Sequence, residues 1–198
     1  MPILSSEARG APVARYERLY IPLGVLVTTW EFLRASGHER REQLCFLAGR
    51  AVVSAAGTAA QATCCVLPMT AATGAYVTLT SHAQTALILD ALENRDEVPL
   101  LSLHTHPDGG VDGCGLRHSE IDDRGVDLAP GNGVFSAVIG HYALGSPLLF
   151  PRRSAVYERT DGTWRLLPPA ERDARVIVHS EMVRVVRVGD RTIRAAEA

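Results

Sequence analysis

The chain has 198 residues, of which 46% are hydrophobic and 21% are charged, and its formal net charge is −2. This composition is that of a folded globular protein and excludes intrinsic disorder. The near-neutral charge argues against a general nucleic-acid-binding protein, which needs a strongly basic face. The apolar runs are far shorter than the roughly 20 residues of a membrane-spanning helix, and the first residues lack a secretory-signal pattern, so we expect a cytoplasmic protein.

The first half of the chain predicts two helices and two strands. Apolar residues at three- to four-residue spacing follow Pro22 and stop before Gly37, which predicts an amphipathic helix. Two apolar stretches predict buried strands at 44–54 and around 61–67. A second helix is predicted over 81–94, because its first residues resemble a capping box.

The second half predicts further strands around a glycine-rich loop. A short apolar strand at 99–104 runs into this loop, and a helix is predicted over 119–127. The fully apolar stretch 133–141 predicts a central strand. An Asp-Gly pair at 161–162 predicts a β-hairpin. After a Pro-Pro pair, the tail 169–198 predicts a β-hairpin of its own.

These elements predict one main domain with short additions at both ends. We expect a loose lead-in at 1–17, the main domain at 18–168 and a β-rich extension at 169–198. Helices and strands alternate in an uneven order. This order indicates an α/β or α+β fold in which helices flank a mixed β-sheet.

The strongest chemical signal is a pair of histidines at the end of a predicted strand. Side chains two residues apart on a strand project to one face, so His104 and His106 can reach one ion. Asp122, at the start of the next predicted helix, can supply a third ligand. Three protein ligands and an open position are typical of catalytic zinc. Such a site needs a general base, and Glu42, just before a buried strand, is the candidate.

This set of residues resembles the JAMM signature of the JAB/MPN metalloproteases. The signature consists of an upstream glutamate, a His-x-His-Pro motif and a Ser-x-x-Asp motif, which here are Glu42, His104–Pro107 and Ser119–Asp122. The resemblance covers roughly residues 18–167. It implies the cytidine-deaminase-like sandwich of that family, with a mixed sheet flanked by helices.

The resemblance implies a zinc-dependent peptidase or isopeptidase. It implies that Zn²⁺ is bound by His104, His106 and Asp122. Glu42 would take a proton from the attacking water and pass it to the leaving amine. Ser119 would help to stabilise the oxyanion. The expected substrate is a ubiquitin-like protein, cut after its C-terminal Gly-Gly in a conjugate or in a precursor.

Two other functions remain open. The first is a peptidase that processes the C terminus of a sulfur-carrier protein, without a role in conjugation. The second is a metal-free MPN scaffold, although such modules typically lack the histidines or the aspartate that this chain keeps. All 20 basic side chains are arginine. Two explanations of this fact are open: codon bias, and a role of this protein beside an E1- or E2-like conjugation system that modifies lysine.

The chain departs from the family pattern between the two motifs. Eleven residues separate Pro107 from Ser119, which is longer than the usual family spacing. One alternative is that a side chain of this loop closes the open zinc position and inhibits the enzyme; the loop candidates are Asp108, Asp112, Cys114 and His118. Asp123 is an alternative to Asp122 as the third ligand.

The other histidines and cysteines are predicted to be structural. No Cys-x-x-Cys spacing is present, which argues against a four-cysteine zinc site. The cysteines in apolar strands should be buried as small hydrophobic residues, namely Cys45, Cys64 and Cys65. The histidines without partners at ligand spacing should be structural or exposed, namely His82, His118, His141 and His179.

Overall fold

The computed structural model describes residues 16–54, 57–80, 82–107, 116–119, 122 and 134–180. The strands are β1 (Arg18–Pro22), β2 (Leu44–Ser54), β3 (Gly57–Val66), β4 (Thr70–Ala72), β5 (Val77–Leu79), β6 (Val98–Thr105), β7 (Phe135–Ile139), β8 (Ser154–Thr160), β9 (Thr163–Leu166) and β10 (Val176–His179). The helices are α1 (Leu23–His38), α2 (His82–Glu93) and α3 (Pro169–Arg175). Single 3₁₀ turns lie at His141–Ala143 and Pro147–Leu149.

Eight strands form one mixed sheet, in the order β10-β1-β3-β2-β6-β7-β8-β9. The pairs β10/β1, β1/β3 and β6/β7 are parallel, and the other neighbours are antiparallel. Strands β4 and β5 form a separate small antiparallel pair. The prediction of a mixed sheet flanked by helices is therefore confirmed, whereas the cytidine-deaminase-like sandwich stays a prediction.

Residues 44–49 of the central strand β2 are buried on both faces, which agrees with their continuous apolar sequence. Cys45 and Leu47 belong to the core on one side, while Leu44 and Phe46 belong to the core on the other. Helix α1 packs its apolar side, including Leu26, into the first core. Buried residues of α2 contribute to the second. This alternation follows from the two-residue period of a strand.

Helix α1 lies close to the turn that follows β7. At Gly37, in the last turn of α1, an added Cβ would lie 2.1 Å from the carbonyl oxygen of Tyr142. Residues 141–143 all have positive φ, between 51° and 58°. Only a residue without a side chain allows so close an approach, which gives Gly37 a packing role beyond ending the helix.

The part of the chain beyond residue 168 that the structure describes is a short helix and an edge strand of the main sheet. Residues Pro169–Arg175 are helix α3, and β10 pairs in parallel with β1, with Val176 opposite Leu19. Val176 is only 1% exposed, so this apolar segment is buried as part of the main sheet. The predicted second tail strand at 183–188 lies outside the described residues.

Three short strands were not predicted from the sequence: β1, β4 and β5. Each has five residues or fewer, and the exposed and half-buried residues of β4 show no strict alternation of apolar and polar types. Of the predicted helix over 119–127, the structure describes Ser119 and Asp122, and Asp122 is helical. No helix in the described ranges is long and apolar enough to cross a membrane.

Candidate metal centre

The two histidines of the sequence motif lie at the end of β6, in the middle of the sheet. His104 is paired with Leu44 of β2 on one side and Val138 of β7 on the other, and it is 1% exposed. The His106 amide donates to the carbonyl of Ile139 at 2.9 Å. The two imidazole rings are 5.0 Å apart. Strand alternation therefore brings both rings to the face of the sheet opposite α1, as predicted.

Asp122 completes a three-residue group with these histidines. Its Oδ2 lies 3.4 Å from Nε2 of His104 and 3.5 Å from Nε2 of His106. One ligand atom from each residue lies within 4.8 Å of the other two, so the group could hold a metal ion. The predicted third ligand is thus brought to the histidines from a distant part of the chain.

A reciprocal pair of hydrogen bonds orients the Asp122 carboxylate. The Ser119 amide donates to Asp122 Oδ2 at 2.6 Å, and the Asp122 amide donates to Ser119 Oγ at 3.2 Å. This is a helix-capping arrangement, which the Ser-x-x-Asp spacing favours. Burial disfavours the charged carboxylate, but its contacts with His104, His106 and the Ser119 amide hold the pKa of Asp122 well below its usual range.

The environment of His104 fits coordination of a cation. Both ring nitrogens of His104 are buried; Nδ1 has no hydrogen-bond partner among the described residues, and Nε2 faces Asp122 Oδ2 at 3.4 Å without the geometry of a hydrogen bond. A buried polar atom without a partner costs free energy, and native structures seldom leave one without a reason. Two imidazoles and a carboxylate are donors that divalent metal ions accept in proteins. The residues therefore fit a bound divalent metal.

Glu42 lies at the same site, although 62 positions separate it from His104 in the sequence. Its amide donates to the carbonyl of Thr73 at 2.7 Å, just before β2, and the residue is 4% exposed. Burial raises the pKa of Glu42 from 4.5 to about 7, although attraction to His106 opposes this effect. Repulsion from Asp122 raises the pKa of Glu42 further. A carboxylate with a pKa near 7 can both accept and donate a proton at neutral pH.

A cleft of about 290 Å³ gives access to these groups. Its lining consists of Glu42, Ala75, Tyr76, His106, Pro107, Leu116, Arg117, Ser119 and Asp122. Four of the five predicted site residues line the cleft, and the fifth, His104, is buried beneath it. The other five lining residues were not predicted as site residues, and two of them, Tyr76 and Arg117, carry polar groups on their side chains.

Tyr76 and Arg117 differ in the sequence signal that could have indicated them. Arg117 precedes Ser119 by two positions, so its closeness to the motif could have indicated it. Tyr76 lies in the turn between β4 and β5, and no local pattern indicates its position. The hydrogen bond from Glu42 to Thr73 connects this turn to the site.

His118 has a structural position beside the metal group. Its Nε2 lies 2.9 Å from Ser136 Oγ, and its ring stacks on Tyr157 with centroids 3.9 Å apart. Its ring also meets Trp164 edge-on at 5.3 Å. The structural role predicted for His118 agrees with these contacts. The other proposed loop ligands lie outside the described residues, as does the alternative ligand; these are Asp108, Asp112, Cys114 and Asp123.

The cysteines of the strands are buried as predicted. Cys45, Cys64 and Cys65 have no exposed surface and form no disulfide. Burial raises the pKa of Cys64 to about 12, and repulsion from Glu97 adds to this effect. A thiol with such a pKa is protonated at neutral pH, so Cys64 is a packing residue.

Comparison with known proteins indicates the fold alone. No family model and no curated protein sequence matches the chain. The solution structure of protein DSY2949 from Desulfitobacterium hafniense is similar, with a TM-score of 0.52 and 12% identity. The match covers 83% of this chain and 94% of that one. At this identity the similarity supports a shared architecture and says nothing of activity.

Proposed function

We propose that this protein is a zinc-dependent peptidase or isopeptidase that hydrolyses the amide bond after a C-terminal Gly-Gly sequence of a ubiquitin-like protein. The observation that carries the proposal is the position of Glu42 in the same cleft as a His-His-Asp group. A metal site without a proton-transfer group could be structural. A buried carboxylate beside an accessible three-ligand site is the arrangement that hydrolysis requires.

His104, His106 and Asp122 would hold the ion. When bound, zinc supplies a Lewis acid that polarises the scissile carbonyl and lowers the pKa of water. The other steps depend on the chain itself. Glu42 takes the proton of the attacking water and transfers it to the leaving nitrogen, since its pKa near 7 suits both directions.

Ser119 is the residue that we assign to the developing oxyanion. It lines the cleft, and its side chain is exposed there. Its hydroxyl oxygen accepts a hydrogen bond from the Asp122 amide at 3.2 Å, which leaves its own proton available to the substrate. A hydroxyl whose oxygen is already oriented can donate to an oxyanion with little reorganisation.

Two separate segments of the chain bound the cleft, and we propose that a narrow substrate enters between them. Ala75 and Tyr76 line it from the β4–β5 turn, and Leu116 and Arg117 line it from the segment before Ser119. A Gly-Gly tail carries no side chains, so it can pass between such walls in an extended conformation. This is the physical reason for preferring a glycine-rich C-terminal tail as the substrate.

Zinc content and hydrolysis of the purified protein, with three variants, test the proposal. We expect about one zinc per chain in the wild type and in Glu42→Gln, and none in His106→Ala. The exposed His38 provides a matched histidine control, since His38→Ala should keep the metal. Only the wild type and His38→Ala should cleave a Gly-Gly amide substrate.

Two results would contradict the proposal. If Glu42→Gln cleaved at the wild-type rate, Glu42 would not be the proton-transfer group. If the wild type bound no zinc even when zinc was supplied, the protein would be a scaffold module of the kind that the sequence left open.

A further inference from the structure

We propose that Arg117 binds a carboxylate of the substrate next to the scissile bond, so that the enzyme prefers to release a residue with a free α-carboxylate. This inference rests on the proposed function and defines its substrate more closely. Arg117 lines the cleft together with His106 and Asp122, and its side chain is exposed. Among the described residues of the cleft, it carries the only guanidinium.

The backbone on both sides of Arg117 is held by one buried tyrosine. Tyr157 Oη donates to the carbonyl of Leu116 at 3.2 Å, and the His118 amide donates to Tyr157 Oη at 3.2 Å. Leu116 is 3% exposed and Tyr157 is 8% exposed. These two hydrogen bonds therefore hold the backbone from which the Arg117 side chain enters the cleft. A pre-positioned binding group loses less entropy when it binds a ligand.

Arg117 differs from the arginines that stabilise the fold. Arg95 pairs with Glu97 at 3.0 Å, and Arg175 pairs with Glu158 at 2.7 Å. Within the described ranges, no carboxylate lies within ion-pair distance of Arg117. Among the described residues, Asp122 is the acid nearest to Arg117 in sequence, but its Oδ2 is engaged by Ser119 and the two histidines.

A guanidinium matches a carboxylate because its planar fork can donate two parallel hydrogen bonds. On the acyl side, the terminal carboxyl group of a Gly-Gly tail is itself part of the scissile amide. A free carboxylate beside that bond must therefore come from the leaving group. In a linear substrate with one further residue, the α-carboxylate is attached to the carbon that bears the leaving nitrogen.

An isopeptide-linked lysine presents a different group. Its ε-nitrogen is separated from its backbone by four methylene groups, and within a protein that backbone carries no free carboxylate. The proposal therefore favours hydrolysis of a C-terminal residue over removal of a tag from a protein lysine. In this reaction the C–N bond breaks, the water oxygen joins the glycine carbonyl carbon, and one proton passes to the leaving nitrogen.

Three synthetic peptides test the preference. They share a Gly-Gly acyl part and differ in the leaving group: alanine with a free carboxylate, alanine amide, and the ε-amine of Nα-acetyl-lysine amide. We expect the wild type to cleave the carboxylate peptide at least about tenfold more efficiently, in kcat/KM, than the other two. Arg117→Gln should bring the ratio close to one, and Arg117→Lys should keep part of it.

Arg152 provides the matched control. It is 80% exposed, is paired loosely with Asp173 at 3.8 Å and is not among the cleft residues. Arg152→Gln should leave the preference unchanged. The proposal is overturned if the wild type cleaves the carboxylate and amide peptides equally, or if Arg117→Gln retains the preference.

A binding measurement separates this proposal from the proposed function. Calorimetry on the metal-free protein should give at least about tenfold tighter binding of the carboxylate peptide than of its amide, and Arg117→Gln should lose that difference. If no peptide is cleaved but the binding preference is present, the hydrolase proposal fails and the role of Arg117 stands. If peptides are cleaved and bound without preference, only the role of Arg117 fails.

Discussion

Replacing Glu42 by glutamine should make the metal-free protein more stable while removing its activity. Glu42 is 4% exposed, and burial raises its pKa from 4.5 to about 7. The folded protein therefore holds this proton more tightly than the unfolded chain does. Stability is lost as pH rises from 4.5 towards 7, because the unfolded chain ionises first and the folded protein must then hold a buried charge.

The difference between the two pKa values sets the size of the effect. Above pH 7 it corresponds to at most about 3 kcal/mol of lost stability, and near pH 4 it is close to zero. Glutamine has nearly the same shape and never ionises, so Glu42→Gln should lack this loss. For a chain of this size, about 3 kcal/mol corresponds to a rise in Tm of roughly 6–12 °C at pH 8.

Thermal unfolding in the presence of a chelator, measured at pH 4, 6 and 8, provides the assay. The difference in Tm between Glu42→Gln and the wild type should increase with pH. Glu93, an exposed glutamate of α2, supplies the control, since Glu93→Gln should shift Tm little at any of these pH values. A variant no more stable than the wild type at pH 8 would refute the assignment of Glu42 as a buried, costly carboxylate.

Three further predictions concern packing, charge and metal. Gly37→Ala should destabilise the protein by about 3 kcal/mol in urea unfolding, because the new Cβ would clash with the Tyr142 carbonyl; Gly145→Ala, with no atom within 4 Å, should have little effect. Glu158→Gln should cost about 2 kcal/mol by the same measurement, since it removes the charge of a fully buried carboxylate that pairs with Arg165 and Arg175 and leaves both arginines with Glu171 alone. Zinc at a hundred times its Kd should stabilise the wild type by about 2.7 kcal/mol in a thermal-shift assay, and a similar shift in His106→Ala would place the ion elsewhere.

The sequence predicted those parts of the site that depend on short-range geometry. His104 and His106 project to one face because side chains alternate along any strand. Ser119 and Asp122 form reciprocal hydrogen bonds because a three-residue spacing suits the first turn of a helix. The apolar start of β2 indicated a buried strand, and residues 44–49 are buried on both faces. Each of these features follows from neighbours in the chain.

The sequence failed where a segment is stabilised by a distant partner. No pattern in the sequence indicated that the segment 176–179 pairs with β1, more than 150 positions earlier. The strands β4 and β5 are too short for a periodic signal, so the position of Tyr76 in the cleft could not be predicted. Strand pairing between remote segments leaves no local pattern.

By itself, the sequence determined which side chains could bind a metal and how each motif is oriented locally. The tertiary structure decided that Asp122 contacts the two histidines, that Glu42 is buried in the same cleft, and that Arg117 lines this cleft. The physical reason is that spacing and capping act over a few residues. Burial, pKa and the shape of a cleft depend on which remote strands pair and in which register, and only the folded chain specifies that.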